Sequence, residues 1–518
     1  MTKQTFLTGT LILIAAGFIT KVLGFINRIV MARILGSEGV GLYMMAVPTL
    51  LLILTLTQMG LPVAIAKLVA EAEARGERQR VKKILAVSLA ITAVLSVIFT
   101  TSMIAFAPIV SNTLLTDARA FYPLIAITPI VPIVAISSVI RGYFQGRQNM
   151  KPTAYSQVIE QVVRITFVAV LTTAFLPLGL EYAAAGAMLS VVLGELASLF
   201  YMLYLFKHHK SFRFRHRFVS AVKGGKHTCQ ALLFTALPTT GSRLIGTVSL
   251  FFEPIVVAQS LAIAGIATSV ATSQYGLLVG YVVPLLTLPS FITYALSVSL
   301  LPNLSEAAAK KNTTLIHYRL EQTLRIGLLS GGICVIILYV FATDLMTLMY
   351  DAPEAAGMLK IMAPFALFLY IQGPLQAALQ ALNYAKVSMM NSLFGAVIKT
   401  AAIFALSTHT SLGIMGAALA IVTGFVLVSV LHFASIAKTT GFVINARAVI
   451  KLSMLIFIVG YAATLLQPMV LQTFSHPLVA TLSAICLTTC LYILGMFFLR
   501  LIKKEELKQL PLFSKILK

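Results

Sequence analysis

Runs of about 20 apolar residues recur from one end of this 518-residue chain to the other. Each is long enough to cross a bilayer core of about 30 Å as a helix. They fall at 7–31, 42–66, 84–110, 121–143, 155–177, 183–206, 231–256, 276–301, 325–345, 360–382, 388–408, 412–435, 451–470 and 478–500. Hydrocarbon offers no water to unpaired N–H and C=O groups, so runs of this kind must pair their backbones internally. Charged residues make up 11% of the chain and hydrophobic ones 59%, against about 25% charged in a soluble domain. A soluble fold of this size could not hide that much apolar surface. The predicted fold class is therefore all-α integral membrane, with about fourteen transmembrane helices. Pro48, Pro132, Pro284 and Pro374 fall inside these spans, where neighbouring helices can tolerate them. The first run continues past the length of a signal-peptide core and is followed by no small-residue cleavage pattern, so it is predicted to be a retained helix.

The net charge of +23 suggests nucleic acid until the charges are placed. Lys67, Arg75, Arg78, Arg80, Lys82 and Lys83 follow the second span. Arg141, Arg147 and Lys151 follow the fourth. The segment after the sixth holds Lys207, Lys210, Arg213, Arg215, Arg217, Lys223 and Lys226, and the tail adds Arg500, Lys503, Lys504, Lys508, Lys515 and Lys518. Alternate loops carry this excess, whereas the intervening loops offer only Arg33, Arg119 and Lys360. Basic loops stay cytoplasmic, which predicts both termini inside. The excess is a topology signal that also suits anionic membrane lipid, and no nucleic-acid recognition module is visible. Cys229, Cys334, Cys486 and Cys490 show no metal-ligand spacing with histidine and read as small packing residues. No cofactor is predicted.

Fixed offsets reveal a parallel repeat. Thr20-Lys21-Val22-Leu23-Gly24 corresponds to Ser242-Arg243-Leu244-Ile245-Gly246, and Glu71-Ala72-Glu73-Ala74-Arg75 to Glu306-Ala307-Ala308-Ala309-Lys310. Gln145, Lys151 and Arg164 correspond at one constant offset to Gln380, Lys386 and Lys399. Six spans per repeat, an even number, give both halves one orientation. The expected organisation is an N-lobe at 1–206, a basic linker at 207–230, a C-lobe at 231–437, and two further helices with a basic tail at 438–518. Two such lobes suggest alternating access.

Eight ionisable residues of the spans bear on a binding site: Lys21, Arg28, Arg164, Arg243 and Lys399 on one side of the count, Glu160, Glu195 and Glu253 on the other. A charge at the bilayer centre costs about 2.5–3.5 kcal/mol on insertion scales, so such residues face a wet cavity or a partner. Gly17, Lys21, Gly24 and Arg28 share one helical face, as do Gln157, Glu160, Gln161 and Arg164. Thr239, Arg243 and Gly246 form another face, Asn391, Gly395 and Lys399 another, and Gln372, Gln376 and Gln380 a ladder at four-residue steps. Two readings stand for Glu160 and Arg164: a pair that ties helices together, or cavity lining. Arg28 could instead snorkel to an interface, Glu253 could be structural beside Pro254, and Glu195 reads as a helix-to-helix tie. Five cations against three acids favour an anionic ligand. Lys and Arg suit phosphate, and Gln and Asn suit sugar hydroxyls or amides. The candidate substrate-binding residues are Lys21, Arg28, Arg164, Arg243, Lys399, Gln157 and Gln376, with Glu253 and Glu160 as candidates for ion coupling.

Lys21-Val22-Leu23-Gly24-Phe25, continuing to Ala32-Arg33-Ile34-Leu35-Gly36, resembles the first-helix signature of bacterial polysaccharide and lipid II flippases. Arg141-Gly142-Tyr143-Phe144-Gln145-Gly146, then Met150-Lys151-Pro152-Thr153-Ala154 and Glu160-Gln161-Val162-Val163-Arg164, resembles a sporulation branch of that family. The resemblance covers essentially the whole chain. It implies membership of the multidrug/oligosaccharidyl-lipid/polysaccharide exporter superfamily. It also implies outward transfer of an undecaprenyl-linked saccharide through a cationic cavity, with lipid II for spore-cortex peptidoglycan as substrate. The last two helices would form a groove for the lipid tail, and peptidoglycan synthesis proteins become candidate partners. The chain departs from well-studied relatives where they carry arginine in the second helix: it reads Leu51-Leu52-Ile53 there, and Asn27-Arg28 replaces an Arg-Asp pair in the first helix.

Three other functions compete. A multidrug or cation antiporter on the same fold would need unpaired acids. A saccharide polymerase would need clustered carboxylates on the outward loops, and the longest of these, 257–275, contains no ionisable residue. A non-transport scaffold for envelope synthesis would tolerate loss of the intramembrane cations. The chain is therefore read as a transporter and not an enzyme.

Overall fold

The computed structural model describes the backbone of residues 6–209 and 224–501. The basic residues expected at 210–223 and 502–518 lie outside the described residues, as do the side chains of Thr239 and Ser242. All regular structure among the described residues is helical. The helices are α1 (Phe6–Gln58), α2 (Leu61–Ala74), α3 (Arg78–Ile109), α4 (Phe121–Ile127), α5 (Ile130–Gly146), α6 (Lys151–Phe175), α7 (Leu180–His209), α8 (Lys226–Ile263), α9 (Thr268–Tyr275) and α10 (Val283–Thr287). They continue as α11 (Ser290–Ala309), α12 (Thr313–Val340), α13 (Ala342–Tyr350), α14 (Ala356–Met362), α15 (Ala366–Ala381), α16 (Ala385–Ser407), α17 (Ile414–Thr440), α18 (Ala446–Thr473) and α19 (Pro477–Phe498).

Thirteen stretches among the described residues are long and apolar enough to cross a membrane. The first, Ala15–Ala74, is 60 residues long, about 90 Å if straight at about 1.5 Å per residue. Its helix breaks at Gly36, where φ is 64° and ψ is −177°, a region of backbone space open essentially only to glycine. Large apolar side chains stand bare on the outside, among them Phe234, Phe457 and Phe498, the surface expected against lipid.

Two spans expected to be continuous are interrupted at prolines. The run at 121–143 splits into α4 and α5 at Thr128 and Pro129. The run at 276–301 begins as a π-helical segment, Gly276–Val282, and breaks again at Leu288 and Pro289 before α11. Proline has no N–H to continue a helical ladder. At the second break the Tyr370 hydroxyl on α15 donates to Leu286 O at 2.9 Å, and Leu285 O, which Pro289 cannot serve, accepts from Leu288 N at 3.3 Å.

Packing divides the chain into two compact units, Met1–Tyr281 with Ala396–Ala417, and Val282–Gly395 with Ala418–Lys518. This division follows packing and places α8 with the first unit, whereas the repeat boundaries followed sequence correspondence. The first unit has a core of Leu61, Ile65, Val81, Tyr143, Phe144 and Met202. In the second, Leu304, Leu320, Leu379 and Phe442 form one core, and α18 and α19 close on α12 through Tyr492, whose hydroxyl donates to Leu329 O at 2.9 Å.

One crossing in the first unit brings backbones nearly into contact. A Cβ on Gly41 of α1 would lie 2.0 Å from Thr272 O, and one on Gly276 would lie 2.0 Å from Ser37 O. The Ser37 and Ser273 hydroxyls hydrogen-bond at 2.7 Å. Beside them, buried Asp117 accepts from the Arg119 backbone N–H at 3.1 Å, from Arg119 Nε at 3.1 Å and Nη2 at 2.9 Å, and from Thr272 Oγ1 at 2.8 Å. Arg119 also bridges to Glu38 at 2.8 Å. Burial alone would raise the Asp117 pKa, but hydrogen bonds from Arg119 and Thr272 outweigh it and hold the carboxyl below its ordinary value of 3.8.

Gly276→Ala drives a methyl group into a backbone carbonyl and is expected to lower unfolding stability by about 1–3 kcal/mol, read as a fall in melting temperature of the purified protein. A depressed carboxylate pKa stabilises the fold above the unfolded value and loses that contribution as pH falls through the folded one. The Asp117 contribution should therefore be constant from pH 8 to pH 5 and fade only below about pH 4. Asp117→Asn should show the loss at neutral pH, and a midpoint equal to native there would refute the role given to this carboxylate.

Candidate functional site

Six of the seven predicted binding residues, and both ion-coupling candidates, lie in the first unit. On α1, Lys21 is exposed and Arg28, two turns on, is half-buried. A Cβ on Gly24 would come 3.8 Å from Gln161 Oε1, so the small-residue face of α1 lies against the amide face of α6. Gln157 is half-buried one turn before Gln161. Open space flanks the cations: a Cβ on Gly17, Gly241 or Gly246 would meet nothing within 4 Å. Arg243 on α8 is exposed beside the last two and forms no ion pair among the described residues.

The acids are arranged differently. Glu160 binds Arg164 at 2.5 Å, one turn along α6, and lies 3.8 Å from Arg141. Arg141, near the end of α5, binds Glu195 of α7 at 2.8 Å and reaches Ser198 at 3.4 Å. Glu253 of α8 binds Lys399 of α16 at 2.5 Å. Glu160, Glu195 and Glu253 each meet a base, and two of the five expected cations, Arg164 and Lys399, are held by the two candidate coupling acids. Arg141 was counted from sequence as a loop residue. Only its long-range partner, Glu195, shows it to belong to the buried network.

With Arg141 included, six cations stand against three acids, and the group keeps a positive balance. Spare polar atoms remain on it: Arg141 Nε, Arg164 Nε, Gln161 Oε1 and Asn27 Oδ1 are buried without a hydrogen-bond partner. Leu52 and Ile53 line an apolar cavity of about 270 Å³ with Thr49, Phe106 and Phe251. Gln376 lies on α15 in the second unit, in a groove beside α11. Among the described residues, no three His, Cys, Asp or Glu side chains cluster to hold a metal.

The Glu253–Lys399 pair can be measured directly. Removing one member of a buried pair leaves the other uncompensated, at a cost of about 3–5 kcal/mol. Glu253→Gln and Lys399→Met are each expected to destabilise the protein strongly, and the double variant by less than their sum. Additive losses in unfolding midpoints would show that the two groups are not coupled.

Residues 6–308 match the family described as polysaccharide biosynthesis protein, and residues 254–405 match MatE. Stage V sporulation protein B of Bacillus subtilis (strain 168) is 57% identical over 518 residues, covering 100% of both chains. Lipid II flippase MurJ of the same organism is 25% identical over 437 residues, 76% of each chain. Among solved structures, lipid II flippase MurJ in an inward closed conformation superposes with a TM-score of 0.68 at 16% identity, covering 94% of this chain and 98% of that one. An inward-facing multidrug resistance MATE family transporter of the MOP superfamily gives 0.64 at 17%, covering 82% and 94%. These structural likenesses show the fold. The family match over more than half the chain, together with 57% identity to a sporulation protein over the full length, shows that the chain belongs to the polysaccharide biosynthesis protein family and is a multi-pass bacterial membrane protein.

Proposed function

We propose that the chain is a flippase carrying an undecaprenyl-linked saccharide, lipid II for spore-cortex peptidoglycan, from the inner to the outer leaflet by alternating access. The proposed topology has fourteen crossings with both termini cytoplasmic, in two six-helix lobes and a C-terminal pair. One observation carries the reading: Glu160, Glu195 and Glu253 are each engaged by a base, while Arg243 keeps an exposed guanidinium without an ion pair among the described residues. An uncompensated arginine is costly in hydrocarbon, and a diphosphate is the anion its planar fork suits. Lys21 and Arg28 add positive charge, and Gln157 adds an amide. Glu160 and Glu253 are the acids a coupling ion would have to free from Arg164 and Lys399. The undecaprenyl tail stays in lipid along α18 and α19, and peptidoglycan synthesis proteins are proposed partners. The names of the sporulation and lipid II relatives support the choice of substrate.

The cation-antiporter reading is weakened by the same pairing, which leaves none of Glu160, Glu195 and Glu253 ready for a drug cation. The test is transfer of a labelled lipid-linked saccharide between leaflets of proteoliposomes. A hydrogen bond to a charged group is worth about 1.5–3 kcal/mol, so Arg243→Ala should slow transfer at least about tenfold, with partial recovery in Arg243→Lys. Native protein that is folded, supplied with ion gradients and no faster than empty vesicles would end the proposal. Unchanged biological function in Arg243→Ala would favour the scaffold.

A further inference from the structure

The second unit contains a groove of different chemistry. It encloses about 440 Å³, within the range of about 300–1,000 Å³ usual for small-ligand sites. One wall is the ladder of Gln372, Gln376 and Gln380 on α15. The other carries Ser290, Thr293, Tyr294 and Ser297 on one face of α11. No Asp, Glu, Lys, Arg or His lines it. A Cβ on Gly373 would lie 3.2 Å from Ser297 Oγ, so this glycine keeps the floor open between the two helices.

The hydrogen-bond inventory is asymmetric. Ser290 Oγ donates to Thr287 O at 2.6 Å, Thr293 Oγ1 to Ser290 O at 3.1 Å and Ser297 Oγ to Thr293 O at 2.7 Å. Those hydroxyls have given their protons to the backbone, and Thr293 and Ser297 present acceptor lone pairs to the groove. Gln372 Oε1 is buried and accepts nothing. The amides of Gln376 and Gln380 make no hydrogen bond among the described residues, so both their donors and their acceptors are available. Three amides within a membrane span are expensive unless something pairs with them. A ligand that satisfies this wall must offer donors and acceptors together and carry no charge, because a charge would be desolvated with no counter-group.

From this geometry we infer that the groove between α11 and α15 binds a neutral saccharide bearing hydroxyl and amide groups, and so selects the sugar part of the lipid-linked ligand. The inference rests on the proposed flippase function and adds a specificity site in the second unit. Sugar hydroxyls donate to Thr293 and Ser297. Amide groups pair with the glutamine side chains, each of which presents one C=O and one NH2.

The experiment uses full-length protein in lipid nanodiscs and two probes: a prenyl diphosphate without sugar, and the same lipid carrying a neutral disaccharide with acetamido groups. Native protein should bind the sugar-bearing probe more tightly. Gln376→Leu and Gln380→Leu should each weaken that probe about 3- to 10-fold and change prenyl diphosphate affinity less than about twofold. Gln380 is exposed, so its replacement leaves the core intact, and unchanged melting temperatures would confirm folding. Arg243→Ala should weaken both probes. Equal native affinity for the two probes, or glutamine variants indistinguishable from native with both, would overturn the groove while leaving the diphosphate reading standing. Native protein that binds neither probe would overturn both.

Discussion

Charge compensation in hydrocarbon is the constraint on which the rest of the first unit depends. An isolated ion there costs several kcal/mol, and pairing offsets that only with close geometry and further hydrogen bonds. Glu160, Glu195 and Glu253 meet these terms with Arg164, Arg141 and Lys399. The pairs also choose which helices lie together. Arg141 and Glu195 join α5 to α7, and Lys399 and Glu253 join α16 to α8. Positions of the repeat share a fate here: Arg164 and Lys399 correspond in sequence and both end in an ion pair, whereas Arg243 keeps its charge open to solvent or ligand.

Much of the fold was legible because a bilayer makes strong demands on composition. Apolar length located nearly every crossing, and Gly36 marks the break between the first two. Proline was harder to read. Pro132 and Pro284 were recognised inside their spans, but the chain interrupts its ladder at Pro129 and Pro289. At Pro289 the break leaves Leu286 O to the Tyr370 hydroxyl and Leu285 O to Leu288 N, a pairing that no run of apolar residues announces.

The site was legible in part. Helical spacing found Glu160 with Arg164 because they sit on one turn. Spacing could not find Lys399 with Glu253 or Arg141 with Glu195, separated by 146 and 54 residues. Arg141 closes an apolar run, where local composition looks like a loop, and only tertiary packing turns it inward. The glutamine ladder was visible at four-residue steps, but the facing hydroxyls of α11 were not, since their role requires α11 and α15 to be neighbours.

The approach of Gly41 and Gly276 has a consequence for motion. Where two main chains come this close, little side-chain rotamer freedom is frozen on closing or released on parting. Parting them forfeits dispersion contact, about a quarter to a half of it over a gap of about 0.5–1 Å, together with the hydrogen bond between the Ser37 and Ser273 hydroxyls. A joint of this kind grips only at short range, so its hold is set by the last ångström of approach.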